Sequence, residues 1–457
     1  MAASLLLSWR EGVSAEAEGD AGLRVRGPGA GVALRHLAPA VVAALGRLAP
    51  PGEDEDRLTE YVLRAGALPA WYYALQGLAR RGLVCRALAV DGRRLATLLP
   101  TSAAFAFAPA AADPARPYLL SRFAYLRREG GRLVLGSPLA HARVVLDDAW
   151  SAALVAALAQ AGTAADLAGR AGPPAEAVAP LLGLLASAGM VAGADAEDEP
   201  PALRPWEFHD LLFHARSRKG RSDAPYGATF RMAGQLEPPP ALKPPGAGEA
   251  FELYRPDLER LERDDPPLAA VMERRRSRRA YGAGPITARQ LGEFLYRVGR
   301  VKEHGEAELA TPSGPVRMTF TSRPYPAGGG LYELELYAAV GACDGLAPGL
   351  YHYEPDGHRL VRLGGRGAEV GQLLSDAAAS AGIGPDGVQV LLVLATRLGR
   401  LAWKYSSIAY ALTLKHVGVV YQTMYLAATA MGLSPCALGG GDSDLFSRAA
   451  GADYYAE

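Results

Sequence analysis

The chain has few cysteines, no net charge and no long uninterrupted hydrophobic run. Its three cysteines, Cys85, Cys343 and Cys436, are scattered and odd in number, which argues against a disulfide framework. Basic and acidic residues balance at 48 each, so no summed field favours nucleic acid or an anionic membrane. A membrane span needs about 18 or more apolar residues without charge, and the most apolar segment, 407–431, is interrupted by Lys415 and His416. The opening MAASLLLSWREG is too short in its apolar part for a secretory signal, so a soluble cytoplasmic protein is expected. The eight histidines are dispersed and the cysteines lie far apart, so no metal is expected. No GxGxxG fingerprint follows a strand, which speaks against a bound nicotinamide.

At 457 residues two or three domains are expected. The first two hundred residues hold a weak repeat, LQGLARRGLV from Leu75 to Val84 and LGLLASAGMV from Leu182 to Val191. Each reads as the end of an amphipathic helix, stopped by a glycine and followed by a strand start. Another helix precedes each, Pro39 to Leu48 and Ala149 to Ala161, the first with proline suited to the first helical position. Arg132–Gly136, and the run from Ala87 to Leu98 with its Asp91-Gly92 turn, read as hairpin material. Two helices and a β-ribbon, present twice, predict tandem winged-helix-like modules at 1–105 and 106–195, in preference to two unrelated helical subdomains. Arg80-Arg81 is an isolated basic pair and AEAVAPLLGLLASAG has no basic residue, so these modules suit a peptide added to the ribbon edge better than DNA.

From 196 to 264 proline, glycine and charge predominate, as in a linker; Pro238-Pro239-Pro240 and KPPG at 243–246 read as extended. Within it, WEFHDLLFHARSRKGR from Trp206 to Arg221 is regular enough to be a helix with a basic end. His209 and His214 are five apart and do not share a helical face as metal ligands would. From 265 to 457 helices and strands alternate: a helix at 268–275, one opened by Thr287, a strand at 333–340, a hairpin about Pro355-Asp356-Gly357 and a helix at 367–379. The apolar run 388–394 has the length of a strand covered on both faces. The 407–431 helix is apolar or small nearly all round, as in a core or a subunit interface.

Four constellations carry chemistry. RRRSRRAY, from Arg274 to Tyr281, places five guanidiniums and a hydroxyl at a helix end, a pattern suited to phosphate. RPYPAGGGLYELE, from Arg323 to Glu335, has three glycines before a strand, where bare backbone can approach a flat ring or a phosphate. PCALGGGDSD, from Pro435 to Asp444, repeats that device after the long helix. RLGRLAWKY, from Arg397 to Tyr405, sets a lysine and a tyrosine between a strand and a buried helix, where proton chemistry can be sheltered.

Together these pieces resemble the flavin-dependent nitroreductase fold and, within it, the thiazole- and oxazole-forming peptide dehydrogenases. Over 265–457 the carriers are RRSRRAY, PAGGGLYELE in place of that branch's usual PSAGALYPLE, GLYHYEPDGHRL, the WKY step and CALGGGDSDLF. WEFHDLLFHARSRKGRSDAPYGATFR and the two amino-terminal modules are most similar to the oxidases of cyanobactin pathways, which extends the resemblance to nearly the whole chain. It implies an α+β protein, with a C-terminal nitroreductase-like FMN domain preceded by two small winged-helix-like peptide-binding modules. The implied reaction is oxidation of azoline rings to thiazole or oxazole in a ribosomally made peptide, with flavin reoxidised by oxygen. A homodimer with FMN at its interface and a cyclodehydratase partner are implied as well.

By position, the resemblance assigns Arg275, Ser277 and Arg279 to the FMN phosphate. It sets Gly328, Gly329, Gly439 and Gly440 against the flavin and makes Lys404 and Tyr405 the catalytic pair. Ala327 replaces a frequent serine, which removes a hydroxyl there. The sequence stops at DYYAE, 453–457, where the branch usually continues into a short strand, so either a flavin contact from that strand is missing or the sequence is a shortened form. Azoline oxidation removes a hydride equivalent and a proton; unperturbed Lys and Tyr both titrate at about 10. Tyr405 is favoured as base, its pKa lowered by the adjacent ammonium, with the reverse assignment open. Two alternatives are an NAD(P)H-dependent flavin reductase of small molecules and a non-catalytic peptide-binding scaffold.

Overall fold

The computed structural model describes residues 3–19, 21–27, 30–108, 111–194, 200–282, 284–384 and 386–457. The module boundary expected at residue 195 lies outside them. The chain divides into two compact units, Met1–Ala224 and Pro225–Glu457, so residues 196–224 fall in the first and 225–264 in the second.

The amino-terminal unit has a seven-stranded sheet in the order Glu53–Asp54, Ala3–Trp9, Val84–Val90, Arg93–Pro100, Ala142–Leu146, Arg132–Gly136, Tyr125–Glu129. The repeated glycines are left-handed, Gly82 at φ 65° and Gly189 at φ 70°, which stops the Leu68–Arg80 and Ala175–Ser187 helices just before a strand. Both expected modules contribute to this one sheet, joined where Arg93–Pro100 pairs with Ala142–Leu146 and Leu98 faces Val144. The second set of helices is followed by one short strand, Val191–Gly193, which pairs back onto Tyr118–Leu120. Among the described residues no ribbon forms there, and the sequence after Val191 turns to glycine, alanine and acid with no second apolar run.

In the carboxy-terminal unit the sheet order is Ala250–Glu252, Arg359–Gly365, Gly349–Glu354, Leu334–Val340, Val390–Thr396, and every pairing is antiparallel. Leu334–Val340 is buried along its whole length. Its residues alternate: Leu334, Leu336 and Ala338 pack with Leu295 and Val420, while Tyr337 and Ala339 pack with Leu373 and Phe446. Thr287 opens the Ala288–Gly299 helix with a capping box closed by Gln290.

Two features differ from the sequence reading, the strand at 390–396 and the hairpin at 303–322. The apolar Val390–Thr396 strand, expected to be covered on both faces, lies at the sheet edge and is mostly half-buried. The helix Ala409–Ala430 buries Ala411, Thr413, His416, Val420, Met424 and Ala428 within the chain, while Tyr410 and Leu414 are about half exposed, at 51% and 48%. A hairpin, Glu303–Thr311 with Gly314–Ser322, occupies a stretch to which no element was assigned. Its first strand is exposed at most positions, so it carries no apolar alternation to read. Among the described residues no helix is long and apolar enough to cross a membrane.

The short helix Leu398–Lys404 organises this unit. Arg400 is wholly buried and donates to the carbonyls of Leu331, Pro239 (2.5 Å) and Thr319 (2.8 Å). Arg397 donates to those of Pro240 and Ala241, both at 2.9 Å. Burial draws the Arg400 pKa down to about 10, assisted by the like charges of Arg397 and Arg323, so the side chain remains a cation at neutral pH. One helix thereby fastens the proline-rich segment, the long hairpin and the residue after the glycine turn. Arg400→Met orphans three carbonyls at once. With about 1–3 kcal/mol per buried unsatisfied group, it is expected to lower the stability of this unit by about 3 kcal/mol or more, read by urea denaturation of the full chain.

Candidate active site

Lys404 ends the Leu398–Lys404 helix, and Tyr405 begins the two-residue strand Tyr405–Ser406, which pairs with Gly227–Ala228. Ser407 is left-handed at φ 63°, turning the chain into the long helix. Residues 225–230 cross over this step. Phe230 N–H donates to the Lys404 carbonyl at 2.9 Å, the Thr229 and Ser406 hydroxyls meet at 2.6 Å, and the Ser407 hydroxyl donates to the Pro225 carbonyl at 2.8 Å. The Lys404 ammonium lies 5.8 Å from the Phe230 ring centre and 5.5 Å from that of Tyr405. Phe230 (φ 52°) and Tyr332 (φ 44°) are left-handed like Ser407. Such strain in non-glycine residues persists only where the surroundings over-determine it, and it gathers at functional sites.

Gly328–Gly330 forms a single 3-10 turn with Gly329 at φ 64°. A Cβ on Gly329 would sit 2.7 Å from Tyr405 Oη and 3.0 Å from Lys404 Nζ. The phenol, the amine and the bare backbone of the turn therefore converge on one point. Behind the turn, Gly328 N–H donates to His416 Nε2 at 2.7 Å, and His416 Nδ1 lies 2.8 Å from Glu333 Oε1. Because Nε2 accepts, the ring hydrogen is on Nδ1 and points at the Glu333 carboxylate, which is wholly buried. Sequence reasoning assigned no role to His416, Glu333 or Phe230. Their only signals were a histidine interrupting an apolar helix, a glutamate where the related motif has proline, and PYGATF within the upstream block that carries part of the resemblance.

The Tyr405 shift runs opposite to the lowering expected from the adjacent ammonium. Burial lowers the pKa of Lys404 and raises that of Tyr405. Desolvation penalises the charged form of each, an ammonium in one case and a phenolate in the other. The adjacent cation does not pull Tyr405 down. Lys404 is the group brought toward neutrality, and Tyr405 stays a protonated donor.

The second predicted group forms around Tyr425. Arg275 caps the Leu268–Arg274 helix and is half-buried, whereas Ser277 and Arg279 are exposed. Ser277 Oγ lies 2.7 Å from Tyr425 Oη, which also accepts Ala437 N–H at 2.9 Å. Arg278 N–H donates to the Pro435 carbonyl at 2.9 Å. The RRSRR segment and the loop bearing Gly439 and Gly440 are thus joined, and a Cβ on either of these glycines would meet open space. His416 and Tyr425 are nine residues apart on one helix, hence about half a turn round its axis and about 13 Å along it. Lys404, Tyr405, Gly328 and Gly329 accordingly form one cluster, and Arg275 and Ser277 with the 435–440 loop form another, on opposite faces of that helix.

Residues 272–456 match the model of the nitroreductase family. A protein of Methanocaldococcus jannaschii assigned to the nitroreductases is 30% identical over 196 residues, covering 42% of this chain and 85% of that protein. This chain belongs to the nitroreductase family. Its amino-terminal part matches two more specific models, the ThcOx helix turn helix domain at 1–108 and the cyanobactin oxidase ThcOx at 118–223. These place it with the azoline oxidases of that superfamily and make it an oxidoreductase. Among solved structures, a nitroreductase-type protein of Ralstonia eutropha is similar at 19% identity and TM-score 0.33, covering 50% of this chain and 92% of that one. The Escherichia coli microcin synthetase McbBCD complex, bound to truncated pro-MccB17, is similar at 18% identity and TM-score 0.31, covering 53% of this chain and 85% of the matched one. Likeness at this level adds nothing to the assignment.

The shifted lysine is directly measurable. In competitive amine labelling across a pH series, read by peptide mass spectrometry, Lys404 is expected to reach half-reaction below the ordinary lysine value of about 10.4. A midpoint at or above that value contradicts the site electrostatics.

Proposed function

We propose that this protein uses FMN to oxidise azoline rings, in a ribosomally made peptide already heterocyclised by a cyclodehydratase, to thiazole or oxazole, with oxygen reoxidising the flavin. The observation that carries this reading is the convergence of Lys404 Nζ and Tyr405 Oη on the Gly329 backbone. The residues fit FMN. The turn at 328–330 offers backbone without side chains, which suits a flat ring, and Arg275, Ser277 and Arg279 form a donor set suited to a phosphate. When bound, the flavin accepts the hydride equivalent that azoline oxidation releases. Lys404, drawn toward neutrality by burial, takes the ring proton at Nζ. Tyr405, kept protonated by the same burial, orients the substrate as a hydrogen-bond donor. The Phe230 ring, 5.8 Å from the amine, gives Lys404 an apolar neighbour.

A homodimer accounts for the two clusters. With the ring-binding turn and the phosphate-binding segment on opposite faces of the 409–430 helix, two copies facing each other complete sites that one copy leaves divided. The half-exposed Tyr410 and Leu414 and the open edge of Val390–Thr396 are surfaces a second copy would cover. In the amino-terminal unit Tyr125–Glu129 ends the seven-stranded sheet within the segment that matches the cyanobactin oxidase model, and its free edge suits an added peptide strand.

The purified protein is expected to show a flavin band and to release a chromophore with the mass of FMN. With an azoline peptide and oxygen, Lys404→Ala is expected to cut azole formation by about 10²–10⁴ while the flavin band stays. In wild type the rate is expected to rise with pH as Lys404 loses its proton, a limb absent from the alanine variant. A protein that cannot be loaded with FMN leaves the peptide-binding scaffold as the better account, and turnover of nitro compounds with NAD(P)H but no azoline oxidation favours the flavin reductase. Sedimentation of the flavin-loaded protein is expected to give a dimer; a monomer at full flavin occupancy removes the shared site.

A further inference from the structure

We propose that Tyr425 is a positioning residue that turns the Ser277 hydroxyl toward a phosphate and so makes this protein select phosphorylated flavin over riboflavin. The inference rests on the FMN reading above. Its basis is a pair of hydrogen bonds at one phenol. Ala437 N–H is a donor only, so Tyr425 Oη accepts at 2.9 Å; in the 2.7 Å contact with Ser277 Oγ either hydroxyl can donate, and the proposed arrangement is the one in which the phenol does. With Oγ accepting from the phenol, the Ser277 hydrogen is free to donate outward, and Ser277 is exposed. Each bond in the series from backbone N–H to phenol to serine polarises the next, which strengthens the last donor. That donor lies in a segment whose flanking cations, Arg275 and Arg279, have no carboxylate partner among the described residues. A free hydroxyl between unpaired guanidiniums is a phosphate-binding arrangement.

Tyr425 also fixes where that donor stands. The Arg275 guanidinium sits 5.3 Å from its ring centre, which restrains the ring and the cation together. One helical turn earlier, Tyr421 Oη donates to the Leu438 carbonyl at 3.3 Å. The two tyrosines hold the 435–438 loop against the long helix, and Tyr425 also bonds Ser277. A riboflavin molecule lacks the phosphate this donor would meet, so loss of the relay should be felt by FMN and not by riboflavin.

The test titrates FMN and riboflavin into the flavin-stripped full-length protein by fluorescence quenching, for wild type, Tyr425→Phe, Ser277→Ala and the double variant. Tyr425→Phe keeps the ring beneath Arg275 and removes only the hydroxyl. It is expected to weaken FMN binding about tenfold, the scale of one charge-assisted hydrogen bond, and to leave riboflavin within twofold. Ser277→Ala, at an exposed position, is expected to do the same, and the double variant to add little, because both remove one relay. Equal weakening of both flavins by Tyr425→Phe, or unchanged FMN binding, overturns the proposal. If Tyr425→Phe does not fold, Ser277→Ala decides in its place: FMN affinity unchanged by the loss of that hydroxyl overturns it as well. Wild type that binds riboflavin as tightly as FMN removes the phosphate subsite alone, whereas wild type that binds neither removes the flavin reading and this inference with it.

Discussion

A guanidinium with no exposed surface is the constraint on which the carboxy-terminal unit depends. Arg400 is held in place because its donors reach carbonyls from three separate segments, and each segment is held in place because Arg400 is there. A buried cation without a partner carries a penalty of several kcal/mol, so the arrangement is stable only when all three segments have docked. Arg397 extends the same logic, pairing with the buried Glu335 at 2.8 Å. For Glu335, burial pushes the carboxyl up, but the His352 hydrogen bond and the Arg397 and Arg323 charges outweigh it and hold it below the usual range. Arg400 itself reaches the carbonyl of Leu331, the residue after the glycine turn. The candidate site is thus supported by groups that lie outside it.

The 409–430 helix divides the chemistry. On one face His416 fixes Gly328 through a hydrogen bond whose polarity is set by Glu333; on the other Tyr425 fixes Ser277 and Ala437. The two devices share a principle. A polar side chain on a rigid helix satisfies a backbone N–H in a glycine-rich or irregular segment, which would otherwise have little to hold it. Glycine supplies the bare backbone a flat ligand needs and gives up conformational order in doing so. The helix restores that order from outside.

Much of this was legible from residue order. The helices at 268–274 and 288–299, the hairpin at Pro355-Asp356-Gly357 and the buried strand at 334–340 follow from capping, turn chemistry and apolar runs, and these are local properties. The helix ends at Gly82 and Gly189 were read for the reason they occur. What could not be read is partnership. VLLVLAT has the composition of a central strand, yet it lies at an edge, since composition does not say which neighbour is present. The 303–322 hairpin escaped because an exposed ribbon shows no alternation. The fusion of both modules into one sheet depends on Leu98 facing Val144, a register that neither stretch announces. In the site, Lys404, Tyr405 and the glycine triplets were visible as motifs, while His416, Glu333 and Tyr425 were single residues in apolar or strand contexts, and only three-dimensional proximity gives them roles.

The direction of the Tyr405 shift shows why proximity in sequence is a poor guide to electrostatics. Two adjacent ionisable side chains invite the argument that one charge tunes the other, lysine lowering tyrosine. That coupling requires the lysine to be charged. In the folded chain burial is the resolved cause for both groups, and it acts on the charged form of each, so it drives the lysine toward the neutral amine and the tyrosine toward the neutral phenol. A lysine moved in that direction is a weaker source of charge for a phenolate, so the tuning of Tyr405 by its neighbour loses force in the folded chain. In the proposed scheme the amine accepts a proton and the phenol donates a hydrogen bond, and burial favours each group in the form its role requires.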